Sequence, residues 1–560
     1  MTAPLAILGT AISAAGAVVL ALLESFETRA TLTPTGTIPI TIGLRVDDLS
    51  STVAVMVTLI ALAIQVYSVG YMKHDVRYPT FATLVGLFTL AMLTVVLAAD
   101  LLMLYVGWEI MGVCSYFLIG HHWEKPSATA AAIKSFLMTR FGDVGFLFGI
   151  FVLGVGAGSF RITDVIAAVP TMSSGTVLTG ALLLLVGVVG KAAQFPLHSW
   201  LPDAMAGPAP VSALIHAATM VAAGAYVVAL LYPVFLAAPL ALDVLAVIAV
   251  VSMIGSALAA LVTDDLKRVL AYSTISQLSV MFAALAVGGR TQAISHLLSH
   301  AVFKALLFLC AGAVIIAVGS NLMSEMGGLR RRMSLSFLTM TVGFAALAGI
   351  PPTAGFFSKD AVVASAEHAH NWFVFAGLLL TAGLTAAYTT RAWLRTFFGP
   401  GPDVREVSKL MTVPLASLAV VALGLGFVGL WFDELRPELI STVLSLAIAG
   451  IGVVAVFLIW RRDPAKDPAD SIGRLRGVFG SAFGTDTLYE RTVARGVMRL
   501  ADEVARVDDS VVGRSVRGTG SGARALGGLL RLTQNGNPQY YVTAVLASVV
   551  LIAVGVVVMR

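Results

Sequence analysis

Some fifteen apolar stretches, each near the roughly 20 residues a helix needs to cross a bilayer, leave this chain few ways to fold. They lie near 3–23, 50–72, 80–98, 100–120, 130–156, 176–197, 204–232, 239–262, 267–287, 291–319, 333–368, 372–398, 411–431, 440–460 and 541–559. The runs are continuously apolar and do not alternate with period two, which calls for helices and not a barrel. Only 12 % of the 560 residues are charged and 58 % are hydrophobic, against about 25 % charged in soluble domains. A soluble fold is excluded, and an all-α polytopic membrane protein with about 15 transmembrane helices is expected. The first stretch has no basic residue ahead of it and no short core with a cleavage site, so it reads as a retained helix.

Residues 1–460 form the membrane body, 461–540 a polar excursion and 541–560 a last anchoring span. In the excursion Val493, Val497, Leu500, Val504, Val507 and Val511 recur at helical spacing, with Arg495, Arg499, Asp502, Glu503, Arg506, Asp508 and Asp509 between them. That is an amphipathic helix, able to lie along a membrane or a row of other helices. Thirteen Lys and Arg against nine Asp and Glu between Arg461 and Arg531 put the region on the cytoplasmic side by the positive-inside tendency. A formal net charge of +5 is small for this length and gives no reason to expect nucleic acid. Cys114 and Cys310 sit apart inside apolar segments and read as packing residues. The run GVGAGS at 154–159 follows an apolar span and not a strand, so it is no nucleotide loop.

Pro196, Pro202, Pro208 and Pro210 fall in or beside two consecutive apolar segments, and Pro351 with Pro352 interrupts 333–368. Proline disrupts a helix, and non-helical backbone at membrane depth survives only where protein or water satisfies it. Each break also has a Lys beside it: Lys191 before FPLHSW, and Lys359 ending IPPTAGFFSK. Paired broken helices point to an internally repeated transporter.

Charges inside spans cost on the order of 3 kcal/mol on insertion scales, so each invites a functional reading. Glu109 is the one charge in LLMLYVGWEIMGVCSYFLIG, and Lys191 lies deep in LLLLVGVVGKAAQF. An ammonium deprived of water passes its proton on readily, and a Glu and a Lys that meet bias each other's protonation. His296, His300 and Lys304 stand at i, i+4 and i+8 on one helix face; a row of His with water between them is a proton wire. His216 extends the row, and Lys359 with Asp360 ends it at the last break. Plainer readings stand beside these: a structural ion pair for Glu109 or Lys191, a helix contact for His216, a helix cap for Asp360. No metal site is expected, because His296 and His300 lack the intervening Glu of a zinc helix and lie in the membrane. Asp143 and Arg140 are read as a supporting pair, and Asp264, Asp265, Lys267 and Arg268 as a solvated turn.

The runs GWEIMGVCSYFLIG, KAAQFPLHSWLPDAMAGPAPVSALIHAATM, DLKRVLAYSTISQLSVMF, HLLSHAVFKALLFLCAGAVI, MGGLRRRMS and GIPPTAGFFSKD resemble the antiporter-like subunits of complex I, NADH-quinone oxidoreductase, and among them the largest, chain L. The resemblance covers roughly 45–400 closely. It implies N-terminal helices over 1–79, two inverted five-helix repeats at 80–232 and 239–398, further helices over 399–460 and a lateral helix within 461–540. It also implies that Glu109 and Lys191 form the interacting pair, that His216, His296, His300 and Lys304 form a hydrophilic axis, that Lys359 is the terminal proton-exchange site and that Asp143 supports the pair. Lys at 359 favours chain L over its paralogue chain M, which carries Glu there, and DTLYERTVARG with RLTQNGNPQYYVTAVL resembles the chain L tail. Chain L usually begins with one further helix and has a longer tail.

The implied function is proton translocation driven by quinone reduction. NADH, FMN, iron–sulfur clusters and quinone are expected on other subunits, and no cofactor on this chain. Its partners would be the bilayer and the other membrane subunits, above all the neighbouring antiporter-like subunit, in a bacterial inner membrane. A subunit of a multisubunit sodium/proton antiporter and the membrane half of an inorganic-carbon uptake system are the competing readings.

Overall fold

The computed structural model describes residues 2–33 and 38–560. Its helices, in chain order, are α1 (Thr2–Leu22), α2 (Asp48–Tyr71), α3 (Tyr78–Leu97), α4 (Leu101–Ile119), α5 (Pro126–Ala157), α6 (Ile162–Ala168), α7 (Ser174–Lys191), α8 (Trp200–Asp203), α9 (Ala209–Ala217), α10 (Ala222–Leu230), α11 (Tyr232–Leu236), α12 (Pro239–Val262), α13 (Leu266–Ala286), α14 (Arg290–Val318), α15 (Ser334–Ala348), α16 (Ala354–His368), α17 (Trp372–Phe397), α18 (Lys409–Val428), α19 (Leu439–Arg462), α20 (Leu475–Gly480), α21 (Thr485–Tyr489), α22 (Arg495–Val507), α23 (Arg514–Thr533) and α24 (Pro538–Val558). Among the described residues, fourteen helices or helix pairs are long and apolar enough to cross a membrane. The fifteenth apolar stretch is the split pair α15 and α16. Short antiparallel ladders, Phe26–Glu27 with Arg45–Val46 and Ala30–Thr33 with Ile40–Ile42, are the departure from an all-helical chain.

Local signals explain the boundaries. Asp47 accepts from Ser50 N while Ser50 Oγ accepts from Asp47 N, a reciprocal cap that starts α2. Asp100 and Asp265 cap α4 and α13 one way, accepting from Leu102 N and Arg268 N. Successive crossings alternate sides, so Lys73, Arg77, Lys125, Arg268, Arg330, Arg331, Arg332 and Arg405 gather on one face, here termed the basic face. Five crossings fall in 80–232 and five in 239–398; the first set starts from the basic face and the second from the opposite one.

The chain divides into two units, Met1–Phe483 and Gly484–Arg560. In the first, α9, α10, α13 and α14 are innermost, with almost every residue of α13 buried although it carries Ser273, Thr274, Ser276, Gln277 and Ser279. The polar excursion begins inside this unit. Arg391 donates to both carboxylate oxygens of Asp467, at 2.7 and 2.6 Å, and to the Thr263 carbonyl at 2.7 Å. Both side chains are buried, so the first part of the region expected to be lateral, 461–483, is tied to the membrane body. Arg391→Ala leaves the buried Asp467 carboxylate with only Arg476 at 3.7 Å and Ala469 N, and thermal melting of the assembled complex is expected to show a loss of up to about 3–5 kcal/mol. In the second unit, helix continues from Thr485 to Thr533 through π-helical turns at Glu490–Ala494 and Asp508–Gly513, spanning about 70 Å at 1.5 Å per residue. Its Val497, Leu500, Val504 and Val507 are exposed, as the amphipathic spacing requires. The last span, α24, is apolar all round.

Candidate proton-transfer site

The first break follows Lys191, as the sequence predicts. Helix α7 stops there, and the freed Gly190 carbonyl accepts from Trp200 Nε1 at 3.1 Å, while Gln194 N reaches Val189 O at 2.9 Å. Pro196, Pro202 and Pro208 lie along the segment between α7 and α9, and Pro210 sits in the first turn of α9. A further interruption, Ala218–Val221 between α9 and α10, carries no proline; there Thr219 Oγ1 donates to the Leu214 carbonyl and takes over part of the helix bonding. That break puts His216 at a helix end. The last break, Gly349–Thr353, coincides with Pro351 and Pro352, and Lys359 donates across it to the Leu347 carbonyl at the C-terminal end of α15, where the helix dipole favours a cation.

The charges around the first break pair differently from the implied scheme. Lys191 Nζ lies 3.2 Å from Asp143 Oδ2 and 3.2 Å from the Trp108 carbonyl, and Trp108 Nε1 donates to Asp143 Oδ1 at 2.6 Å. Glu109 is instead bonded to Arg140. The Glu109–Lys191 and Asp143–Arg140 pairs expected from the sequence are thus exchanged. The cause is close packing: a Cβ on Gly142 or Gly190 would come within 3.1 Å of the other's Cα, so α5 and α7 touch and Asp143 is pressed onto Lys191. Lys191 and Asp143 are fully buried, whereas Glu109 and Arg140 lie toward the outer surface. Phe146 stacks on Trp108 at 4.5 Å and 6°, closing the pair off.

The row expected on α14 is present. His296, His300 and Lys304 are all fully buried, as is His216. Lys304 donates to Ser273 Oγ and to the Leu270 carbonyl on α13, and it lies within electrostatic reach of His216, His300 and Lys359. His300 faces the backbone of Ala217 at the unforeseen break. Ser358 Oγ donates to the Ala354 carbonyl at 3.1 Å and stands 2.9 Å from His296 Nδ1. That contact engages Nδ1 and leaves Nε2 of His296 for another partner. That Nε2 and both nitrogens of His216 have no hydrogen-bond partner among the described residues. Buried polar atoms are rarely left so, and waters in the row would satisfy them.

Two cavities adjoin the row. A cleft of about 660 Å³ opens on the face opposite the basic one, between Arg45, Asp47 and Arg290, and runs past Ser295 and Ser299 to Ser358. A pocket of about 40 Å³ touches Lys359, Thr381 and Ser445, room for a water or two. Asp360 does not join the row or cap its own helix: its carboxylate accepts from Glu438 N and Ser441 Oγ, both at 3.1 Å, and anchors the start of α19.

The span expected at 267–287 is α13, but sequence reading missed what its polar residues contribute. Ser273 holds Lys304, and Gln277 is buried with its amide unpartnered among the described residues; the signal was the polar run AYSTISQLS in a helix that the hydropathy treats as one more span. It also misjudged Lys267, which is buried and donates to the Met205 carbonyl at 2.6 Å and to that of Gly207. Arg268 reaches Asp203 at 3.3 Å, and Asp264 accepts from Ser324, so the turn read as solvated is a knot that fastens the segment after the first break.

Residues 98–385 match the family described as NADH:quinone oxidoreductase/Mrp antiporter membrane region, and residues 32–82 match the N-terminus of chain 5 of NADH-ubiquinone oxidoreductase, complex I. The NAD(P)H-quinone oxidoreductase chain 5 of Picosynechococcus sp. is 37 % identical over 90 % of this chain and 86 % of its own length. The NADH-quinone oxidoreductase subunit L of Mycobacterium tuberculosis is 36 % identical over 94 % and 88 %. The F(420)H(2) dehydrogenase subunit L of Methanosarcina mazei is 37 % identical over 91 % and 87 %. Among solved structures, the Mrp complex from Dietzia sp. superposes with a TM-score of 0.74 at 26 % identity, covering 100 % of this chain and 63 % of that one. The chain belongs to the antiporter-like membrane subunits of NADH:quinone oxidoreductases and Mrp antiporters, on the branch of complex I chain 5 and subunit L.

Proposed function

We propose that this chain moves protons across a bacterial inner membrane as a subunit of a complex I-type oxidoreductase, with the basic face in the cytoplasm. The observation that carries the reading is the set of polar groups inside the spans: Lys191 with Asp143, then His216, His300 and Lys304, then His296 with Ser358, all buried, and Lys359, part-buried, at the last break. Each group can both take and give a proton, and the nitrogens left without partners are where the next water or side chain would hand one over. Lys191 and Lys304 are held by groups that a small movement of α5 or α13 would alter. A change of charge at the outer Glu109–Arg140 pair acts on Lys191 through Asp143, and that is how a neighbouring antiporter-like subunit would signal to the row. The cleft ending at Ser358 supports an outlet on the face away from the cytoplasm.

Electron transfer is assigned to other subunits. Relatives that carry NAD(P)H-quinone and F(420)H(2) dehydrogenase names share this membrane architecture with different electron donors, so the donor is chosen elsewhere in the complex. NADH is the reading that subunit L relatives support. The test is pumping by the assembled complex in vesicles. Lys359→Ala and Glu109→Ala are each expected to lower the protons moved per electron; an unchanged ratio and unchanged activity in both would sink the proposal. The Mrp likeness makes sodium the second cation to try, and pumping that persists in sodium-free buffer argues for protons.

A further inference from the structure

The turn between α2 and α3 and the turn between α4 and α5 meet on the basic face, outside the spans, and bring together side chains that the proton row does not use. Asp75 comes from the first turn, His121 and His122 from the second. Each offers a ligand atom, and the three atoms all lie within 4.8 Å of one another. Asp75 Oδ2 is 2.8 Å from His121 Nε2, and Asp75 Oδ1 is held by Arg77 N at 2.8 Å. His121 is buried and packs edge-on against Phe81 at 5.6 Å, and the ring of His122 stands 4.9 Å from it. The ring of His122 makes no hydrogen bond among the described residues.

We propose that Asp75, His121 and His122 form a site for a divalent transition-metal ion of the zinc class, completed by water. Two imidazoles and one carboxylate are the ligands such ions prefer. With metal bonds near 2.0–2.2 Å, tetrahedral ligand atoms stand about 3.3 Å apart, between the 2.8 Å of the Asp75–His121 contact and the 4.8 Å limit of the cluster. Insertion needs Asp75 and His121 to part by only a few tenths of an ångström and His122 to close in. Burial raises the Asp75 carboxyl, but its bonds from His121 and Arg77 more than offset this and keep it below the usual carboxylate range. Burial, with His121 alongside, holds His122 below the usual histidine value. The cations nearby are Arg77 and Lys125, and Glu124 neutralises the first at 2.8 Å. A bound ion would clip the α2–α3 turn to the α4–α5 turn, beside the helix that carries Glu109.

A plain Asp75–His121 tie would hold these turns without His122, and that difference is the test. The purified intact complex is stripped with a chelator, exposed to Zn²⁺, desalted and assayed for zinc by mass spectrometry. His122→Ala and Asp75→Asn are each expected to hold one zinc fewer per complex than wild type, with Lys125→Ala unchanged. Equal zinc in wild type and both variants overturns the site. Should a variant fail to assemble, zinc anomalous scattering from the wild-type complex decides: a peak between the two turns supports the proposal, and its absence overturns it.

Discussion

Replacing Lys304 with Ala is expected to stop the row at its middle. Lys304 is fully buried on α14 and held by Ser273 and the Leu270 carbonyl, and its charge reaches His216, His300 and Lys359. A positioned acid–base group contributes on the order of 10²- to 10⁴-fold to a proton transfer, so transfer through this chain should fall by at least about a hundredfold. The readout is proton uptake by vesicles containing the assembled complex, measured beside electron transfer. Lys304→Arg supplies a control: it keeps a charge but binds its proton too firmly to release it. If Lys304→Ala pumps normally, the central row does not carry protons. If Lys304→Arg pumps like wild type, a fixed charge suffices and the ammonium is not a relay.

The second large effect concerns the exchanged pairs. Asp143→Asn removes the carboxylate against Lys191 and leaves a buried cation facing an amide. Breaking a buried pair by removing one partner costs about 3–5 kcal/mol, so the complex should melt at markedly lower temperature and pump poorly. Glu109→Gln instead frees Arg140, whose side chain is 34 % exposed and can turn toward lipid headgroups or a neighbouring subunit. Its stability should fall by less than that of Asp143→Asn, because Glu109 and Arg140 are 17 % and 34 % exposed against 1 % and 0 % for Asp143 and Lys191, although pumping falls. The implied Glu109–Lys191 pairing predicts the opposite order of stabilities. Melting temperatures of the two variants separate the schemes.

Two residues show how far the sequence alone could go with this centre. Glu109 and Lys191 stand out because each is a costly charge in a long apolar run, and no tertiary information is needed to see that. Their partners are another matter. Arg140 and Asp143 are three apart on α5, close enough to pair with each other, and sequence spacing favours that choice. Each instead turns to a different neighbouring helix: Gly142 and Gly190 let α5 touch α7 and bring Asp143 to Lys191, while Arg140 reaches Glu109 on α4. The same holds for Asp360, beside Lys359 in sequence yet spent on Ser441 of α19, and for the sequence-distant turns that place Asp75 against His121.

The number of crossings, the breaks at Lys191 and at Pro351–Pro352, the face shared by His296, His300 and Lys304 and the amphipathic helix beyond Gly484 were all determined by the sequence itself. Hydropathy, proline and helical period act over a few residues, and a bilayer admits few other solutions. The tertiary structure alone decided which carboxylate holds which cation, that α13 supplies Ser273 to Lys304, that 461–483 stays with the membrane body through Arg391 and Asp467, and that a second break opens at Ala218–Val221. Those choices depend on contact between helices far apart in the chain, where a few ångströms set by a glycine or a buried ion pair select one partner among several that local spacing allows equally well.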